Sequence, residues 1–114
     1  MNSLFTLALA AATLFHTALK SSLPSKDATV NAVPSVTLTF TEGVVLAQSA
    51  ISILRPDSTL VEKLVVKGGT DPAILVGTVT KPLAPGKYLV RWKTGSDDGH
   101  AVRGTYGFTV TPRR

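Results

Sequence analysis

Short runs in which every second residue is apolar, each closed by turn-forming residues, fill the chain from Pro34 to Thr111 and restrict it to β structure. A period of two puts alternate side chains on opposite faces of an extended backbone, which suits a half-buried strand and denies an amphipathic helix its stripe. In Pro34–Phe40, Val36, Leu38 and Phe40 fall on one face and Ser35, Thr37 and Thr39 on the other. Tyr88, Val90 and Trp92 share a face of Gly86–Lys93, and Tyr106, Phe108 and Val110 alternate with Thr105, Gly107 and Thr109 in Val102–Thr111. Between them lie Ala50–Leu54, Ala73–Val79 and Thr59–Val66, where Leu60, Glu62 and Leu64 give one face a mixed character. Arg55–Ser58, Gly68–Pro72 and Pro82–Gly86 supply the Gly, Pro, Asp and Ser that turns favour. Seven or so strands at intervals of about 8–12 residues predict an all-β sandwich or a small barrel. A chain of 114 residues holds one such domain with a modest core, which leaves a rim or an edge as the place for function.

Composition narrows the chemistry. With 44% hydrophobic and 17% charged residues the chain is too apolar to stay disordered. The absence of Cys excludes a disulfide framework, a Cys-ligated zinc or iron–sulfur site and a thiol nucleophile, so any metal must be held by nitrogen and oxygen. A net charge of +5 raises the question of a polyanion partner. The basic residues are scattered, only Arg113 and Arg114 are adjacent, and the aromatics are few and mostly fall in strand-like runs, so nucleic acid is not an expected partner and the basic surface is read as a solvated one. Tyr88 and Trp92 are core aromatics. No Gly-x-Ser-x-Gly elbow supports a serine hydrolase, and Gly68-Gly69 lacks the Lys and Ser/Thr of a phosphate loop.

The segment Leu4–Phe15 is apolar or small apart from Thr6 and Thr13, and it falls short of the about 20 residues needed to cross a bilayer. It predicts a cleavable secretory signal over residues 1–15 and an exported domain over residues 16–114, a monomer that does not span the membrane. A buried N-terminal helix of a cytosolic domain is the alternative. Met1-Asn2-Ser3 carries no Lys or Arg, and cleavage after Ala12 or Ala18 stays open as well.

Cleavage after Phe15 would make His16, one of only two His, the first residue. Its α-amine and imidazole could then close a chelate ring on a metal. The other His lies in Ser96-Asp97-Asp98-Gly99-His100, where Asp98 and His100 are two apart and would project to one side of an extended segment. Two imidazoles, an amine and a carboxylate form a donor set that suits Cu(II) by geometry and by the general affinity order. Taken singly, each has a plainer reading: a His near a terminus is a solvated surface residue, and Asp-Asp-Gly-His is a polar hairpin loop.

Four ordered motifs, His16-x-x-Leu19-x-Ser21-Ser22-x-Pro24, Leu38-Thr39-Phe40-Thr41-Glu42, Gly86-x-Tyr88-x-Val90-x-Trp92 and Ser96-x-Asp98-x-His100 with Gly104 following, resemble those of the periplasmic copper-resistance protein CopC family. The resemblance covers nearly the whole predicted mature chain. It implies a Greek-key, immunoglobulin-like β-sandwich that binds Cu(II) through His16, Asp98 and His100, with Glu42 accepting a hydrogen bond from the metal-bound amine. One ionised Asp leaves such a site at net +1, and Glu42 brings it close to neutral. The resemblance also implies a non-enzymatic, periplasmic role in copper sequestration, resistance or transfer, with an inner-membrane transporter of the CopD type as partner. Family members with a second, Cu(I) site need several thioethers, and the single Met here is Met1, so the Cu(II)-only type is expected. Two other functions stay open: a copper-dependent oxidase or oxygenase using the N-terminal His chelate, and a metal-free β-sandwich interaction module.

Overall fold

A computed structural model describes residues 17–112, and nothing in this range is helical. The predicted signal at residues 1–15 and His16 lie outside the described residues. Nine strands run in the order β1 (Leu19–Leu23), β2 (Thr29–Val30), β3 (Ser35–Phe40), β4 (Val44–Leu54), β5 (Leu60–Lys63), β6 (Val65–Gly68), β7 (Ile74–Thr78), β8 (Gly86–Ser96) and β9 (Ala101–Val110). They form two sheets, β1-β3-β7-β6 and β2-β9-β8-β4-β5, packed as a Greek-key sandwich. All neighbouring pairs are antiparallel except β2 and β9. The all-β expectation holds.

The alternation read from the sequence is what fills the space between the sheets. Val36, Leu38 and Phe40 from one sheet meet Ile51, Ile53, Val90, Trp92 and Phe108 from the other, all buried. Each Val, Leu, Ile or Phe removed from water in this way contributes roughly 1.5–3 kcal/mol. Phe40 and Trp92 meet edge to face, with ring centroids 5.2 Å apart and planes at 71°. Tyr88 lies in the core, but its hydroxyl donates to the carbonyl of Ala84 at 2.6 Å, so the buried ring keeps its polar tip satisfied and pins the turn before β8.

The structure differs from the expected strands in three places. Thr59–Val66, expected as one strand, divides at Leu64: β5 pairs with β4 in the five-stranded sheet and β6 with β7 in the four-stranded one. Leu64 is buried, donates its backbone N–H to Ile51 at 2.9 Å and carries the chain across the open side of the sandwich. Strand β4 begins at Val44, six residues before the expected run, with its pairing to β8 interrupted between Val45 and Ala50. Strands β1 and β2 were not foreseen; β1 alternates poorly and owes its place to pairing with β3.

This arrangement fixes the site. The end of β8 and the start of β9 form one hairpin at a pole of the sandwich. The start of β1, the end of β3 and the start of β4 reach the same pole, because Thr41 donates its N–H to Ala18 at 2.9 Å and Val44 pairs with Ser96.

Candidate metal centre

The hairpin between β8 and β9 is closed by residues 97–99. Gly99 donates its N–H to the carbonyl of Ser96 and Ser96 to that of His100, both at 3.0 Å. This is the bonding of a three-residue hairpin loop whose last member takes the left-handed region, and Gly99 has φ +87°. A side chain there would be strained, so glycine sets the loop's shape.

The loop turns Asp98 toward two donors and an imidazole nitrogen. The Ser96 hydroxyl donates to Oδ1 of Asp98, and the His100 backbone N–H donates to the same atom at 3.1 Å. Nδ1 of His100 lies 3.0 Å from Oδ2. The expectation that an extended backbone would bring Asp98 and His100 to one side is corrected here: a turn does it, and the carboxylate bonding two residues ahead is what locks that turn. These contacts, the Ser96 hydroxyl first, then the His100 amide and imidazole, hold the Asp98 carboxyl at about 2, below its ordinary 3.8. Both side chains are well exposed, at 70% for His100 and 55% for Asp98.

That spacing would also suit two neighbouring donors to one metal ion. Two donors each about 2.0–2.1 Å from a metal and at a right angle lie about 2.9 Å from one another. The imidazole nitrogen and the carboxylate oxygen are thus already as far apart as adjacent ligands of a square-planar ion, and the hydrogen bond between them holds that spacing without a metal.

Across the pole, Glu42 follows the end of β3. Its Oε2 accepts from the hydroxyl of Thr17 at 3.2 Å, and Thr17 is only 4% exposed. Thr17, Glu42, Gly43, Ser96, Asp97 and Asp98 together line a cleft of about 150 Å³. Glu42 is therefore both an exposed residue just past a strand end and a wall of the cleft that Asp98 faces. The structure brings Asp98 and His100 together and sets Glu42 opposite. Among the described residues no three His, Cys, Asp or Glu form a group able to hold a metal ion. His16, which precedes Thr17 in the sequence, lies outside the described residues. Two participants were not singled out from the sequence: Thr17, whose burial nothing local signals, and Ser96, which stood in the quoted motif with no role given to it.

A model of the CopC domain matches residues 19–111. Copper resistance protein C of Escherichia coli is 33% identical over 102 residues, covering 83% of this chain and 81% of its own length. The crystal structure of CopC from Methylosinus trichosporium OB3b superposes with a TM-score of 0.80 at 39% identity, over 87% of this chain and 97% of that one. PcoC, a methionine rich copper resistance protein from Escherichia coli, superposes with a TM-score of 0.69 at 32% identity, over 85% of this chain and all (100%) of its own. Its richness in methionine is not shared, since Met1 is the one Met of this chain.

Proposed function

The chain belongs to the CopC family, and from that premise we propose that it is a periplasmic Cu(II)-binding protein that sequesters copper for resistance or passes it to an inner-membrane partner of the CopD type. Signal removal after Phe15 exposes the α-amine of His16. That amine and its imidazole, the Asp98 carboxylate and the His100 imidazole then grip one cupric ion. Glu42 accepts a hydrogen bond from the coordinated amine and offsets the remaining positive charge.

One observation carries this reading: the locked hairpin loop holds Asp98 Oδ2 and His100 Nδ1 3.0 Å apart at the pole where Thr17 is buried against Glu42. The donors are hard or borderline nitrogen and oxygen, which favours Cu(II) over Cu(I), and no thioether is within the predicted mature chain.

N-terminal sequencing of the exported protein and Cu(II) titration form the test. The processed chain is expected to begin at His16 and bind one equivalent. One extra residue placed before His16 removes the amine from the chelate and should weaken binding by roughly 100-fold or more. Full affinity in that extended form, or a mature chain starting elsewhere, would overturn the assignment.

A further inference from the structure

Basic residues that are scattered along the sequence are gathered by strand register. Arg91 and Lys93, two apart on β8, project from one face of the five-stranded sheet. Lys93 stands opposite Arg103 on β9, and Arg91 stands opposite Ser52 on β4, which in turn pairs with Lys63 on β5. The alternate residues Val90, Trp92, Ile51 and Ile53 point into the core, so the four cations occupy the outer surface, and all four are exposed. Between them Ala50 and Ser52 are short and leave a groove of about 310 Å³ walled by Lys63, Arg91, Lys93 and Arg103.

Among the described residues none of the four cations forms an ion pair. Two carboxylates on flanking segments are engaged elsewhere: Glu62 accepts from the backbone N–H and hydroxyl of Thr80, and Asp98 from Ser96 and His100. The outer face of the four-stranded sheet is different in kind. There Thr37 pairs with Val76 and Thr39 with Ile74, and Lys67 lies at its edge. The four cations are gathered on one face, whereas Lys20 and Lys67 stand on separate strands of the other sheet.

We infer that the outer face of the five-stranded sheet is a docking surface for an acidic segment of a partner polypeptide, whose carboxylates enter the groove between these cations. Arg91 and Arg103 can each take a carboxylate in two-point contact, and Lys63 and Lys93 add charge without that geometry. A nucleic acid would want exposed rings on which bases stack, and Trp92, Tyr88, Tyr106 and Phe108 are all buried. A lipid surface is a plane of headgroups, whereas this site is a groove between side chains with no large apolar residue exposed among them. Lys93 lies three residues before Ser96, and Arg103 three after His100, so a docked segment would end about 10 Å from the metal-site hairpin. The surface stands whether or not that hairpin binds copper.

The test uses the full metal-free chain and a labelled peptide of alternating Glu and Ser, with phosphatidylglycerol vesicles and a single-stranded oligothymidine as competing arms. The peptide is expected to bind, and to weaken as salt is raised from about 20 mM to about 300 mM. Arg91→Glu with Lys93→Glu should weaken it by about tenfold or more. Lys20→Glu with Lys67→Glu, the same charge change on strands of the other sheet, should leave it within about twofold. Should the reversed pair fold poorly by circular dichroism, Arg91→Gln with Lys93→Gln makes the same comparison. Absence of peptide binding, equal losses in the two doubly substituted proteins, or tighter binding to the vesicles or the oligonucleotide would each overturn the inference.

Discussion

Asp98 is held by the contacts that keep it charged. The Ser96 hydroxyl and the His100 amide both donate to its Oδ1, which fixes the carboxylate in place and holds its pKa at about 2. Ser96→Ala removes the largest of these contacts. Its expected outcome is an Asp98 pKa that climbs back toward 3.8 in a carboxyl NMR titration, with Cu(II) affinity reduced by about tenfold because the ligand is less well oriented. An unmoved pKa would show that the hydroxyl is not what holds the carboxylate. Since Asp98 stays ionised above about pH 4, it adds no inflection to copper binding near neutrality. The decline of affinity with falling pH is then set by the nitrogen donors, whose protons must leave for the ion to bind, beginning near the α-amine's usual pKa of about 7.7–8.0. The pairing of Asp98 with His100 was legible in the sequence, although for an incomplete reason. Their spacing suggested alternation along a strand, while Asp-Gly chemistry built the turn that unites them, so the plainer hairpin reading holds and the ligand role stays a proposal.

Three connections between strands are tied by carboxylates that act alike. Asp57 accepts from the N–H and hydroxyl of Thr59 at 3.0 and 2.8 Å in the turn from β4 to β5. Glu62 on β5 accepts from Thr80, just after β7, and so links the two sheets. Asp98 closes the hairpin from β8 to β9. These hydrogen bonds lower all three pKa values, those from Thr59 for Asp57 and Thr80 for Glu62 being foremost. A carboxyl with a lower pKa folded than unfolded contributes stability that is complete above its unfolded pKa and is lost as pH falls through its folded one. Tm should therefore be level above about pH 5 and drop below about pH 4, and Asp57→Asn with Glu62→Gln should make that acid limb shallower while leaving the share due to Asp98. An unchanged limb in the doubly substituted protein would assign acid sensitivity to other groups. Element boundaries were the least legible feature. Nothing in Thr59–Val66 marks Leu64 as the crossing point, because the cause lies in the partner strand: a Cβ on Gly77 would come within 2.8 Å of Leu64 Cδ1, so the missing side chain makes the room that Leu64 fills. Leu19–Leu23 has no clear period for the same reason, since an edge strand paired on one side is specified by its neighbour β3.

At the scale of the whole molecule, core and site are built from different ends of the same strands, which separates stability from binding. Strand β4 starts beside the cleft at Val44 and ends in the core at Ile53 and Leu54, with Ile53 fully buried. Periodicity made that core legible, whereas the basic face was hidden because register between distant strands, and not position along the chain, assembles it. Ile53→Ala should cost about 2–5 kcal/mol through lost burial and the cavity left behind. A ligand that binds only the folded state adds RT ln(1 + [L]/Kd) to stability, an amount that depends on affinity and not on how stable the fold was beforehand. If the hairpin loop is locked by its own hydrogen bonds, Ile53→Ala leaves Kd untouched. The increase in unfolding free energy on adding Cu(II), measured by urea denaturation, should then match that of the parent protein despite the lower starting value. His100→Ala should show the reverse, near-parental stability without metal and little or no increment with it, because an exposed loop side chain contributes little to the core. A Cu(II) increment that shrinks in step with the loss of core stability would mean that the metal pole draws its geometry from the packed interior, and that the loop's own bonds are insufficient to hold it.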